Sequence, residues 1–150
     1  MPQSLVSLHV HLIFSTKNRD PFITADLAPR LFGYIGGITR EKGSVLLAAG
    51  GMADHVHLLV SLGRESCVAD LVRDVKSNSP RWVHDTFPDR SQFAWQAGYG
   101  AFAVSVSMVD KVRAYISDQE RHHRRRTFQD EFREFLKAHE IAWDERYVWD

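Results

Sequence analysis

Residues 44–62 read SVLLAAGGMADHVHLLVSL, and the fold turns on how this stretch divides. Ser44 to Ala49 is a short apolar run suited to a strand, and Gly50-Gly51 begins a turn. His55 to Leu62 is a second run whose alternate positions Val56, Leu58 and Val60 form an apolar row. Successive side chains in a strand point to opposite faces, so that row is a core face, and His55 and His57 project together from the other. Two such runs joined by a glycine-bearing turn read as a β-hairpin.

Upstream, LVSLHVHLIFS at residues 5–15 alternates and is rich in branched and aromatic side chains, which predicts a first strand, followed by a polar turn from Thr16 to Asp20. Thr24 can cap a helix running to Lys42, with Gly43 at its exit. Downstream, Ser66 opens a helical pattern that places Val68, Leu71, Val72 and Val75 on one face; Pro80 is expected to kink or restart it before Phe87. Phe102 to Val106 reads as a fourth strand. Ser107, with Asp110 three residues on, resembles an acidic capping box for a long helix reaching about Arg125. Phe128 to Ala138 is a further helix, before an aromatic end with Trp143, Tyr147 and Trp149.

This order predicts an α+β domain of ferredoxin-like or RRM-like type, βαββαβ. It has a four-stranded antiparallel sheet, two helices on one face, an additional C-terminal helix bearing a tyrosine, and the other sheet face open for a site. A chain of 150 residues suits one domain, with a core over 1–126 and a C-terminal helix and aromatic tail over 127–150. Hydrophobic residues make up 44% and charged residues 25%, which disfavours both disorder and a membrane protein. Without a membrane-length apolar run or a signal-like start, a cytoplasmic location is expected. The single cysteine, Cys67, forms no internal disulfide and is better read as a small core residue than as a nucleophile.

The net charge of zero speaks against coating nucleic acid by bulk electrostatics, but the charge is unevenly spread. Residues 127–150 carry seven acidic and three basic side chains, so the first 126 residues hold a basic excess of four that includes Arg121, Arg124, Arg125 and Arg126. That run is either a solvated helix end or an edge that binds phosphate.

His55 and His57 have two readings: ordinary histidines hydrogen-bonded to neighbours, or ligands of one shared metal ion. His9 and His11 repeat the spacing mid-strand and are assigned a structural or secondary role. His55 differs in beginning its strand just after the glycine-rich turn and Asp54, where a ligand can approach. On the helix after the fourth strand, Lys111, Tyr115, Gln119 and His122 form one stripe. Tyr115 is the natural nucleophile, because a phenolate can attack phosphorus and later leave. Gln119, one turn on, can offer an oxygen to a metal held by the histidines. Tyr34 and Tyr99 have no ligand-type residue one turn further on, and Tyr147 lies in the aromatic tail.

Together these segments resemble the single-tyrosine HUH transposases of the insertion-sequence 200/605 family, where HUH denotes two histidines flanking a hydrophobic residue. The resemblance runs through HLIFSTKNR (11–19), ADHVHLLVSL (53–62), the stretch from Lys76 to Phe87, WQAGYGAFAVS (95–105) and VRAYISDQERHH (112–123). Ala53 stands where the family has a proline, and Pro80 where it has a helix former. The resemblance implies His55, His57 and Gln119 as ligands of a divalent metal, Mg2+ or Mn2+, and Tyr115 as the nucleophile. It further implies cleavage and rejoining of single-stranded DNA carrying a subterminal hairpin through a 5′-phosphotyrosine, and a homodimer whose active site is completed in trans. Lys17, Arg19, Lys76, Arg81, Lys111 and Arg121 are candidate DNA contacts, while Trp82 and Phe87 suit core packing better than base stacking. Other readings are a domesticated repeat-processing enzyme, a relaxase-like nicking enzyme, and a non-catalytic single-stranded nucleic-acid-binding module.

Overall fold

The computed structural model describes residues 2–150. Its strands are β1 (Leu8–Ser15), β2 (Val45–Met52), β3 (His55–Leu62) and β4 (Gly100–Val104). Its helices are α1 (Leu27–Glu41), α2 (Val68–Thr86), α3 (Val109–Ser117), α4 (Gln119–His123) and α5 (Phe128–Ala138). The strands form one antiparallel sheet in the order β2-β3-β1-β4, the topology expected of a βαββαβ domain.

One face of the sheet carries Val10, Leu12, Phe14, Val56, Leu58 and Val60 against Leu27, Leu31 and Ile35 of α1 and Leu71, Val72 and Val75 of α2. This main core follows from the strand alternation and the helical spacing read in the sequence. The opposite face was expected to be open, and it is not. Phe128, Phe132 and Leu136 of α5 close over Ile13 and Phe102, while α3 lies on β2 and β3. The physical reason is apolar: the exposed sheet face and the strongly amphipathic α5 each bury a surface that water would otherwise have to solvate.

Several boundaries shift for tertiary reasons. β1 begins at Leu8, not Leu5, because its partner β3 ends opposite it at Leu62; Leu5 and Val6 are exposed. β2 runs on through Gly50 and Gly51 to Met52, so the hairpin turn is Ala53-Asp54. β4 is Gly100–Val104, two residues earlier than expected. α2 continues through Pro80, since Leu71, Val72, Val75, Ser79 and Val83 are all buried along one face and packing outweighs the missing N–H. Gly43, at φ 76°, terminates the α1 segment as the sequence suggested.

The long helix expected from Ser107 to about Arg125 is divided. A 3-10 turn spans Val106–Met108, α3 ends at Ser117, and Asp118 (φ −108°, ψ 25°) separates it from α4. Ser107 caps no backbone group; its hydroxyl lies 3.1 Å from that of Ser105. Among the described residues no helix is long and apolar enough to cross a membrane.

Gly50 sets how closely α3 approaches the sheet. A Cβ at this position would lie 2.5 Å from the main-chain oxygen of Ile116, an atom that cannot rotate away. Gly50→Ala is therefore expected to destabilise the protein by about 1–3 kcal/mol through overpacking. Urea unfolding measures this, and an unchanged midpoint would show that α3 does not press on β2.

Candidate metal centre and active site

The face that α3, α4 and α5 cover is the face from which His55 and His57 project. Both histidines are fully buried, at 0% exposure. β3 is flanked by β2 and β1, so its side chains are screened laterally as well as from above. The break at Asp118 turns α4 so that Gln119 is buried and His123 faces inward. The Gln119 side chain places Oε1 3.3 Å from His55 Nε2 and 3.1 Å from His123 Nε2. Its Nε2 donates to the Tyr115 carbonyl at 3.4 Å, which is consistent with the amide oxygen pointing towards the histidines.

Glu131, one turn into α5, stands at the centre. Its Oε1 lies 2.8 Å from His57 Nε2, 3.2 Å from His123 Nε2 and 3.7 Å from His55 Nε2. Its Oε2 accepts a hydrogen bond from the Tyr115 hydroxyl. His55, His57, His123 and Glu131 each offer one ligand atom, all within 4.8 Å of one another, and this donor set could hold a metal ion. Neither His123 nor Glu131 was singled out as a ligand from the sequence. His123 was hidden by the stripe pattern, which favours His122 in an unbroken helix, and Glu131 by its place in an acidic, otherwise ordinary amphipathic helix. The only available signal was an acidic residue on the apolar side of α5, between Phe128 and Phe132.

Each histidine is held from behind. Asp54 Oδ1 is 2.7 Å from His55 Nδ1, the Arg126 carbonyl is 3.0 Å from His123 Nδ1, and His11 Nε2 is 2.8 Å from His57 Nδ1. His11 is thus part of the cluster, a contact set by the β1–β3 register, which pairs Ile13 with His57 and leaves His11 one pleat away.

Burial pushes the His57 imidazole down to about 4 and the His11 imidazole to about 3, the latter helped by His57 itself. Burial also disfavours the charged forms of Glu131 and His123. For Glu131, hydrogen bonds from His123 and His57 outweigh it and hold the carboxyl well below its ordinary range. For His123, the Glu131 carboxylate outweighs it and raises the imidazole. Burial and the adjacent Glu131 push the Tyr115 phenol upward, while Arg126 pulls the other way. Arg126 Nη2 donates to the Tyr115 oxygen at 2.9 Å, and the His122 ring stacks on the Tyr115 ring at 4.4 Å between centroids. Both residues, with Arg121, Arg124 and Arg125, line a groove beside the tyrosine.

The sequence-predicted residues divide by place. His55, His57, Tyr115 and Gln119 come together within one chain. Lys17 and Arg19 follow β1 in a turn at the sheet end where His55 starts, since Thr16 N–H donates to the Asp54 carbonyl. Lys111 and Arg121 are exposed on α3 and α4. Lys76 and Arg81 belong to α2 on the opposite face of the sheet. Lys76 corrects the expectation of a DNA contact: its ammonium donates to the carbonyls of Gln96, Ala97 and Gly98 at 3.0, 3.3 and 2.5 Å, leaving no donor for a phosphate.

Residues 4–119 match the family model described as Transposase IS200 like. The chain is 26% identical over 117 residues to the ISDra2 transposase TnpA of Deinococcus radiodurans, covering 75% of this chain and 84% of that protein. A crystal structure of a protein from Deinococcus radiodurans R1 described as a transposase superposes with a TM-score of 0.62 at 27% identity, over 79% of this chain and 98% of the other. A REP-associated tyrosine transposase bound to a REP hairpin shares the fold, with a TM-score of 0.60 at 14% identity, over 82% of this chain and 73% of that one. The chain belongs to the IS200-like transposase family.

Proposed function

We propose that this protein cleaves and rejoins single-stranded DNA at insertion-sequence ends, with Tyr115 as nucleophile and His55, His57 and Gln119 as ligands of a divalent metal ion, Mg2+ or Mn2+. The observation that carries this reading is the carboxylate of Glu131, which touches the Tyr115 hydroxyl with one oxygen and the buried histidines with the other. Nucleophile and metal donors are thereby held next to each other.

In the reaction the Tyr115 Oη–P bond forms, the P–O3′ bond breaks, and the products are a 5′-phosphotyrosine and a 3′-hydroxyl. The phenol proton has an acceptor in Glu131 Oε2, and Arg126 offers a donor to the same phenolic oxygen as it gains negative charge. His55, His57 and Gln119 would hold a divalent ion, which would supply positive charge to polarise the scissile phosphate. Attack by another 3′-hydroxyl reverses the linkage and joins the strands without a nucleotide cofactor. The arginine-lined groove leading to Tyr115 is the natural path for the backbone, with Lys17, Arg19, Lys111 and Arg121 as outer phosphate contacts. The hairpin bound by the REP-associated relative favours a DNA hairpin as the recognition element here.

The family resemblance implies a homodimer that completes each site in trans. The position of Tyr115 beside the histidines of its own chain supports instead a site assembled within one chain in this conformation.

Incubating the protein with labelled single-stranded DNA and MnCl2 should yield a covalent protein–DNA band that is absent in Tyr115→Phe and abolished by EDTA; a band persisting in either case overturns the nucleophile or the metal assignment respectively. Arg126→Ala should slow band formation by about 10²-fold, the scale for loss of one donor to developing charge, and an unaltered rate would remove Arg126 from the chemistry. Mixing His57→Ala with Tyr115→Phe chains should restore no cleavage if the site lies within one chain, whereas recovered cleavage would establish the shared, dimeric site.

A further inference from the structure

We propose that His123 and Glu131 are protein ligands of the same metal ion, making a site of three imidazoles and two oxygens that selects a transition-metal ion such as Zn2+ or Mn2+ over Mg2+. The inference rests on the metal-dependent reading above and extends it to residues beyond 119, where the family match ends.

The geometry is able to take a cation at the centre of the cluster. Asp54 and the Arg126 carbonyl only accept hydrogen bonds, so His55 and His123 carry their protons on Nδ1. In the neutral rings their Nε2 lone pairs then point at Gln119 Oε1, 3.3 and 3.1 Å away, and at Glu131 Oε1, 3.7 and 3.2 Å away. All of these atoms are acceptors, and acceptors crowded at such distances repel unless protons or a cation lie between them. A cation would replace the hydrogen bonds that His57 and His123 make to Glu131, and His57 can then join the set, because His11 Nε2 is placed to accept a hydrogen bond from His57 Nδ1 and leave His57 Nε2 free. Every histidine of the cluster therefore has an acceptor behind it and an open nitrogen in front. That is the outer-shell arrangement that orients imidazole ligands towards a metal.

The donor chemistry sets the class of ion. Magnesium favours oxygen ligands and keeps its waters, whereas three imidazoles suit borderline transition ions, with Zn2+ above Mn2+ in the usual affinity order. Glu131 adds a negative charge that the amide of Gln119 cannot supply. It also links the ion to the nucleophile, since Oε2 remains on Tyr115 while Oε1 faces the histidines.

The test is calorimetric titration of the full-length, metal-free protein with ZnCl2, MnCl2 and MgCl2, alongside His123→Ala, Glu131→Gln and His57→Ala, with circular dichroism as a check on folding. Binding is expected in the order Zn2+, Mn2+, Mg2+. His123→Ala and Glu131→Gln should each weaken Zn2+ by at least about 10- to 100-fold, the range already seen for outer-shell partners. Wild-type affinity in both variants, tighter binding in Glu131→Gln, or Mg2+ bound as tightly as Zn2+ overturns the proposal. If His57→Ala alone abolishes binding, the narrower site of His55, His57 and Gln119 stands and this extension fails; if none of the three substitutions matters, both readings fail. X-ray absorption of the Zn2+-loaded wild type counts imidazoles without depending on any variant: three support the proposal and two refute it.

Discussion

The buried carboxylate of Glu131 is the contact on which the arrangement of the second sheet face depends. An anion at 0% exposure is costly unless it is paired and hydrogen-bonded. Here it is met by His57 and His123 on one oxygen and by Tyr115 on the other, with Arg126 4.0 Å away. These partners come from β3, α4, α3 and the link before α5. One carboxylate thus links several elements, and the phenylalanines of α5 on either side of it keep water out.

Topology explains why such a cluster can exist. The order β2-β3-β1-β4 puts the histidine strand inside the sheet, next to β1, and so brings His11 against His57. Gly50 on the other neighbouring strand permits α3 to settle close to the sheet, which delivers Tyr115 to the same place. The break at Asp118 then redirects the chain, and Gln119 and His123 of α4 both turn inward. Each of these is a constraint on backbone position, and the chemistry of the side chains follows from it.

The site draws on two parts of the chain. His55, His57, Tyr115 and Gln119 lie within the family match, whereas His123, Arg126 and Glu131 lie after it. The C-terminal segment is tied back to the domain at several points: Arg133 pairs with Glu145, and Gly98 N–H and Gln96 Nε2 donate to the Asp150 carbonyl. It therefore belongs to the structure of the site and is more than a peripheral extension.

The sequence by itself determined what depends on local periodicity. Alternation over His55 to Leu62 put the two histidines on one face, helical spacing defined the apolar face of α2, and Phe128 to Ala138 marked α5. One-turn spacing also paired Tyr115 with Gln119. Only the tertiary structure decided which other groups meet them. The glycines read as a turn are strand residues because another helix passes over them, and the helix read as continuous is broken where the chain must bend. The sheet face read as open is covered. These contacts join distant parts of the chain: His11 meets His57 across 46 residues and Glu131 meets it across 74. Period and propensity carry no information about contacts at that separation. Such contacts are settled by sheet register and by which apolar surfaces close on one another, and in this protein those two decisions complete the site.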